Sequence, residues 1–163
     1  MARIFVLVTA LLTGLASDAV AQRAIFLVRH AEKVDDSDDS PISAVGVERA
    51  ARLVAMLGDA GVTAIYGSER QRTIQTAQPL ADRLGLEIGA IPRAETARLV
   101  ETLRTSRADD VVLVVGHSDT LPGILRALGH PEDVTIGGSD YDNVFLVIPR
   151  DGAPPTLLRL KME

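Results

Sequence analysis

The 163-residue chain contains no cysteine and no tryptophan. Without cysteine there is no disulfide and no site for a lipid on an N-terminal thiol, so export would not rely on oxidative stapling. Aromatic residues make up 3% of the sequence, too few for a platform that stacks sugar rings or bases. Positive charge is also in deficit: 17 basic against 22 acidic residues give a net charge of -5, which argues against a nucleic-acid partner or an anionic membrane surface. Histidine is scarce at three residues, and two neighbouring histidines fall short of the three protein ligands a catalytic zinc ordinarily takes. No metal and no cofactor is expected. No repeat, low-complexity tract or interdomain linker interrupts the chain.

What is present is an ordinary globular composition, 47% hydrophobic and 24% charged. The length suits one domain with a real core and is too short for two. The first residues read as a leader. Arg3 supplies positive charge, an apolar run covers Ile4 to Leu15, and Ala19-Val20-Ala21 has the small-x-small form of a cleavage site. Residues 1–21 are therefore expected to be a signal peptide and residues 22–163 a single periplasmic or secreted domain. The apolar run is shorter than the roughly 20 residues a membrane helix needs. An uncleaved anchor, or a first core strand, is the alternative.

Past the leader, strands alternate with helices. The apolar run Ala24 to Val28 reads as a buried strand, and Val34 to Pro41 as a solvated acidic loop without the glycine and late glutamate of a calcium loop. A helix follows over 43–57, capped by Ser43, then a short strand over 62–66. A second helix spans 70–84, where Pro79 can kink or shorten it. A weak strand over 86–91, a helix over 95–106, an apolar strand over 111–115 and a helix over 118–128 come next. Two closing strands, 144–148 and 156–160, flank the turn 151–155. This alternation predicts an α/β domain with a mainly parallel sheet.

The carboxyl ends of parallel strands are where functional groups gather. Arg29 and His30 follow the first strand, and His117, Ser118 and Asp119 follow the apolar strand 111–115. Ser68, Arg70 and Arg72 follow the strand between them. Arginine forks bond two oxyanion oxygens at once, and helix starts near Glu69 and Ser118 would aim N–H groups at the same rim. An imidazole at the floor of such a pocket suits covalent phosphoryl transfer, with a neutral ring nitrogen attacking phosphorus. Arg70 fits an exposed helix face as well as a pocket, and His130, in Leu128-Gly129-His130-Pro131, reads as a surface residue.

Three stretches carry a family likeness: Leu27-Val28-Arg29-His30-Ala31-Glu32-Lys33; Ser68 with Arg72-Thr73 and Thr76-Ala77; and Val115-Gly116-His117-Ser118 with Thr120. In order and spacing they resemble the histidine phosphatase superfamily, phosphoglycerate-mutase-like in fold, and in particular its small secreted bacterial branch. Ala31 stands where that family usually has glycine. The resemblance implies a three-layer α/β/α sandwich on a six-stranded mixed sheet with one antiparallel strand. It implies His30 as the phosphorylated nucleophile, with Arg29, Arg72 and His117 completing a phosphate pocket to which Ser68 and Ser118 contribute. For the proton donor, similarity to mutase-like members points first to Glu95, and similarity to acid-phosphatase-like members points second to Asp119; Glu32 could also reach, or pair with Lys33. The chain lacks the insertions that cover the pocket in larger members, so an open pocket for small phosphate esters or a protein-borne phosphohistidine is expected.

Rival readings differ in class. Gly116-His117-Ser118-Asp119-Thr120 resembles a serine nucleophile elbow, but Thr120 replaces the second glycine and only His130 follows Ser118. A phosphate-ester binder without turnover, or a phosphomutase, would keep the same pocket.

Overall fold

The computed structural model describes residues 24–105, 110–150 and 152–162. The expected signal peptide, Ser106 and Asp151 lie outside the described residues. Six strands form one sheet in the order β3-β2-β4-β1-β5-β6. They are β1 (Ala24–Arg29), β2 (Ala64–Gly67), β3 (Ile88–Ala90), β4 (Val111–Gly116), β5 (Asn143–Arg150) and β6 (Ala153–Lys161). β1 to β4 run parallel, β5 is antiparallel to β1, and β6 is antiparallel to β5. The mixed, mainly parallel sheet is the one expected.

Helices cover both faces. On one, α1 (Ala44–Leu57) and α2 (Gln71–Leu84) place Leu53, Leu57, Ala77 and Leu80 against Val28, Leu113 and Val115. On the other, α3 (Thr96–Thr105) and α4 (Leu121–Ala127) place Leu99, Leu103, Ile124 and Leu125 against Leu27, Val112, Val114 and Phe145. β1 and β4 show no polar alternation because both their faces are buried, as central parallel strands require.

Several boundaries differ from the sequence reading, each for a local reason. α4 begins at Leu121 rather than Ser118, because the amide of His117 bonds the Thr120 hydroxyl at 3.1 Å and closes a turn first. No helix N-terminus therefore stands at Ser118. A 3-10 turn, Arg93–Glu95, precedes α3, so that helix starts one residue late. α2 runs through Pro79, whose ring sits on its exposed side. β6 includes Pro154 and Pro155, which are tolerated because they fall on an edge strand at the register shift opposite Ile148–Arg150.

Two contacts tie these helices to the tip of β1. Ser43 caps α1 through the Gly46 amide, and its own amide bonds the Glu32 carbonyl at 2.8 Å. A Cβ at Gly46 would collide with that carbonyl, so the helix can approach only with glycine there. From α2, the Thr76 hydroxyl accepts the Ala31 amide at 2.9 Å and donates to the Arg72 carbonyl at 2.6 Å.

Candidate active site

The two histidines meet because β1 and β4 are neighbours in the sheet. Arg29 is level with Gly116, and the His30 amide bonds the Gly116 carbonyl at 2.9 Å. The rings of His30 and His117 lie edge-to-face with centroids 5.2 Å apart, at the carboxyl ends of adjacent parallel strands. They border an open cavity of about 300 Å³ that Arg29, Arg72, Ser118 and Asp119 also line.

Each imidazole has one nitrogen committed. The Nδ1 of His30 lies 2.8 Å from the Ala31 carbonyl oxygen. A carbonyl can only accept, so Nδ1 carries the proton and, in the neutral ring, Nε2 keeps its lone pair. The Nε2 of His117 lies 3.0 Å from the Ser68 hydroxyl, which is itself 3.0 Å from the Thr73 hydroxyl. Thr73 donates to the backbone carbonyls of Ser68 and Arg70. Ser68 is then left to donate to Thr73 and accept from His117 Nε2–H. Ser68 thus stands behind His117 and borders an adjoining apolar slot, not the cavity that holds His30. That corrects the expectation that it meets phosphate directly.

Burial pushes the His30 imidazolium down to about 4, against a rise from the Ala31 carbonyl and with further lowering from Arg72, Arg29 and Lys33. Burial also takes His117 down to about 3, helped by His30, Arg72 and Arg93 and opposed by Asp119. Both rings are therefore neutral at pH 7. The sign for stability follows. The unfolded chain takes up these protons near pH 6.5 and the folded chain does not, so stability is full above 6.5 and falls as pH drops toward 4. Between pH 7 and 4.5 each histidine is expected to remove on the order of 2 kcal/mol. Urea unfolding of wild type and His30→Ala at both values checks this: the loss should be smaller in the variant, and equal losses would contradict it.

The arginines are held by one hand and open by the other. Arg29 Nη1 donates to the Gly137 and Gly138 carbonyls at 2.9 and 2.8 Å, and its guanidinium lies over the Tyr141 ring, 3.9 Å from the centroid. Arg72 Nη1 donates to the Asp38 carbonyl at 2.6 Å. Both residues are buried, and the Nε of each is buried without a partner. Buried guanidinium donors without acceptors are costly unless an anion completes them. Arg70 instead pairs with Asp38 at 2.6 Å and does not line the cavity.

The carboxyl groups divide clearly. Glu95 is exposed, accepts from Arg98 at 3.0 Å and does not line the cavity. Glu32 turns away onto Arg49, whose Nε is 2.8 Å distant, and leaves Lys33 to pair with Asp36 at 2.8 Å. Asp119 is the one carboxylate bordering the cavity among the described residues, and it is paired with Arg93. Lys33 and Arg93 both line the cavity, though the sequence reading gave neither a role there. Tyr141, to which the sequence reading assigned no role, supplies the face on which Arg29 rests. His130 lies in the loop after α4, outside the cavity. No group of three metal-binding side chains occurs among the described residues.

Paired neutral imidazoles between half-open arginines at the carboxyl edge of an α/β sheet make a site that can hold an oxyanion against a nitrogen lone pair. Residues 25–95 match the sequence model of the histidine phosphatase superfamily (branch 1). A protein named "Probable phosphoglycerate mutase GpmB" from Yersinia enterocolitica is 43% identical over 77 residues, 42% of this chain and 35% of that one. Its namesake from Proteus mirabilis is 33% identical over 76 residues, with the same coverage. The matches span about a third of the length of these curated relatives. Among solved structures, a mycobacterial glucosyl-3-phosphoglycerate phosphatase with inorganic phosphate superposes with a TM-score of 0.66 at 16% identity, covering 86% of this chain and 97% of that one. The protein histidine phosphatase SixA with tungstate gives 0.65 at 19% identity, covering 85% and 96%. These structural likenesses establish the shared fold.

Proposed function

We propose that the chain hydrolyses phosphate monoesters, or phosphohistidine on a protein, through a covalent phosphohistidine at His30. The observation that carries this reading is the tautomer of His30. Its Nδ1–H is fixed on the Ala31 carbonyl, so the Nε2 lone pair is available within a cavity that Arg29 and Arg72 also line. In the first step Nε2 bonds to phosphorus, the bond to the leaving oxygen breaks, and that oxygen takes a proton from the Asp119 carboxyl. In the second, water adds to phosphorus as the N–P bond breaks, and its proton returns to Asp119. Arg29 and Arg72 hold the non-bridging oxygens as charge spreads over them, and His117 joins them by taking a proton at Nδ1 once the anion is bound. No step requires a metal or cofactor.

Several further points belong to this proposal. Two neighbours are named for a sugar-acid phosphate and for a protein phosphohistidine, and the open cavity suits either kind of substrate. The curated relatives are named as mutases, but a mutase must keep its phosphoenzyme from water, which an open cavity does poorly. Export with cleavage before Gln22 is also proposed; the mass of the exported chain tests it, and a chain still starting at Met1 would end it.

The test of the mechanism is a quench of ³²P-labelled substrate turnover under alkaline conditions, since phosphohistidine is acid-labile. Label mapping to His30 is expected. Label elsewhere, or turnover with no labelled protein, would overturn the mechanism; label passing to an added alcohol in place of water would indicate a mutase.

Geometry rather than charge is expected to matter at Arg72. Arg72→Lys keeps the cation but loses the fork that serves Asp38 and phosphate together. A lost charge-assisted bond of about 1.5–3 kcal/mol corresponds to a tenfold to hundredfold lower kcat/KM. Arg70→Ala, outside the cavity, should change it much less. Equal rates for Arg72→Lys and wild type would remove Arg72 from the pocket.

A further inference from the structure

Arg93 combines three features that no other cavity residue shares. Its backbone is pinned, the amide bonding Glu69 at 2.7 Å, and it opens a short 3-10 turn between β3 and α3. Its side chain is long and partly exposed, and borders both the oxyanion cavity and the apolar slot behind His117. Its partner is Asp119, the carboxylate that the proposed reaction uses. The pair is therefore solvent-accessible, and exposed ion pairs are weak. On the cavity side Arg93 lies close enough to Arg72 to repel it, and both cations line the same void.

An oxyanion in this void relieves the repulsion and offers Arg93 a partially buried, charge-assisted bond stronger than the exposed one it has. The geometry points to Arg93 as a third phosphate-binding arginine that exchanges partners on binding, leaving Asp119 for a phosphate oxygen and thereby releasing Asp119 toward the leaving group. The exchange rests on the hydrolytic reading for its consequence, but its binding step does not. Once Arg93 has gone, Asp119 sits beside an anion without its cation. A carboxyl so placed can pass a proton to a departing oxygen. The proton comes from solvent before the N–P bond forms, and the acid is assembled only when phosphate is present.

The exchange makes an unusual demand on affinity. Removing Asp119 should tighten phosphate binding, because Arg93 no longer has to abandon a partner. Removing Arg93 should weaken it.

The experiment is calorimetric titration of the full chain with inorganic phosphate, which needs no turnover. Wild type is compared with Arg93→Gln, Arg93→Lys, Asp119→Asn and the double variant Arg93→Gln/Asp119→Asn, each checked for folding by circular dichroism. Arg93→Gln is expected to weaken phosphate about tenfold or more, Arg93→Lys less, and Asp119→Asn to tighten it about threefold to tenfold. Loss of a negative charge near an anion would by itself also tighten binding, and the double variant separates the two causes. Under partner exchange most of the gain from Asp119→Asn is lost when Arg93 is absent; under simple charge removal it persists in full. Persistence overturns the exchange, as does an unchanged affinity in Arg93→Gln or no phosphate binding by wild type. A wild-type chain that binds phosphate with these signs but turns nothing over would overturn the hydrolytic reading and leave Arg93 in place.

Discussion

His30→Ala is expected to lower p-nitrophenyl phosphate hydrolysis by about 10⁴-fold or more, to the background left by binding alone. The loss is large because the ring supplies the atom that bonds phosphorus, and nothing nearby replaces it. His117 is the nearest alternative, but its Nε2 is committed to Ser68 and the ring stands on a different strand. The fold should survive. His30 follows the end of β1, and its side chain borders an open cavity rather than either apolar core. Phosphate should still bind, since Arg29 keeps its anchors on Gly137, Gly138 and Tyr141 and Arg72 keeps Asp38. Rate assays beside a phosphate titration check both halves. Activity above about 1% of wild type would remove His30 as the nucleophile.

Asp119→Asn is expected to slow an alkyl phosphate by about 10²–10⁴-fold, the usual worth of a positioned general acid. p-Nitrophenyl phosphate, whose phenolate departs without a proton, should slow by less than about tenfold. The asparagine keeps the shape and can neither give nor take the proton. Glu95→Gln serves as the comparison. That carboxyl belongs to Arg98 and lies off the cavity, so its replacement should not separate the two substrates. The order of preference between these acids is the reverse of the one drawn from sequence. Parallel loss on both substrates for Asp119→Asn would assign Asp119 to structure; a substrate-dependent loss for Glu95→Gln would restore it as donor.

The contrast shows what kind of information the sequence holds. His30 and His117 were legible because an apolar run without alternation means a strand buried on both faces, and whatever follows such a strand falls at its tip. The two tips meet because these strands pair in register, which the alternating order made probable only in outline. Arg72 was legible through its spacing from Ser68. Glu95 was misplaced because its position rests on a 3-10 turn no pattern announces, and Arg93, two residues earlier in that turn, lines the cavity instead. Ser68 was assigned to phosphate because spacing shows proximity to the tips and not which neighbour takes the hydroxyl. Tyr141, Lys33 and the carbonyls of Gly137 and Gly138 reach the site from loops, whose paths depend on tertiary contacts far apart in sequence. The start of α4 was missed because the Thr120 hydroxyl competes locally with helical hydrogen bonding.

The pairing of β1 with β4 also fixes when the pocket comes into being. Arg29 lies level with Gly116, about 90 residues further along the chain. During synthesis at roughly 5–20 residues per second, the segment carrying Arg29, His30 and Arg72 therefore waits several seconds for its partner strand. Until β4 emerges, β1 has neither its parallel neighbour nor the histidine that neighbour delivers, and β2, which pairs with β4, is likewise separated from β1. Contacts of such long sequence separation form late, after the entropy of closing the loop has been met. The pocket is thus incomplete until the sheet closes, and its two histidines come together only when β4 pairs with β1.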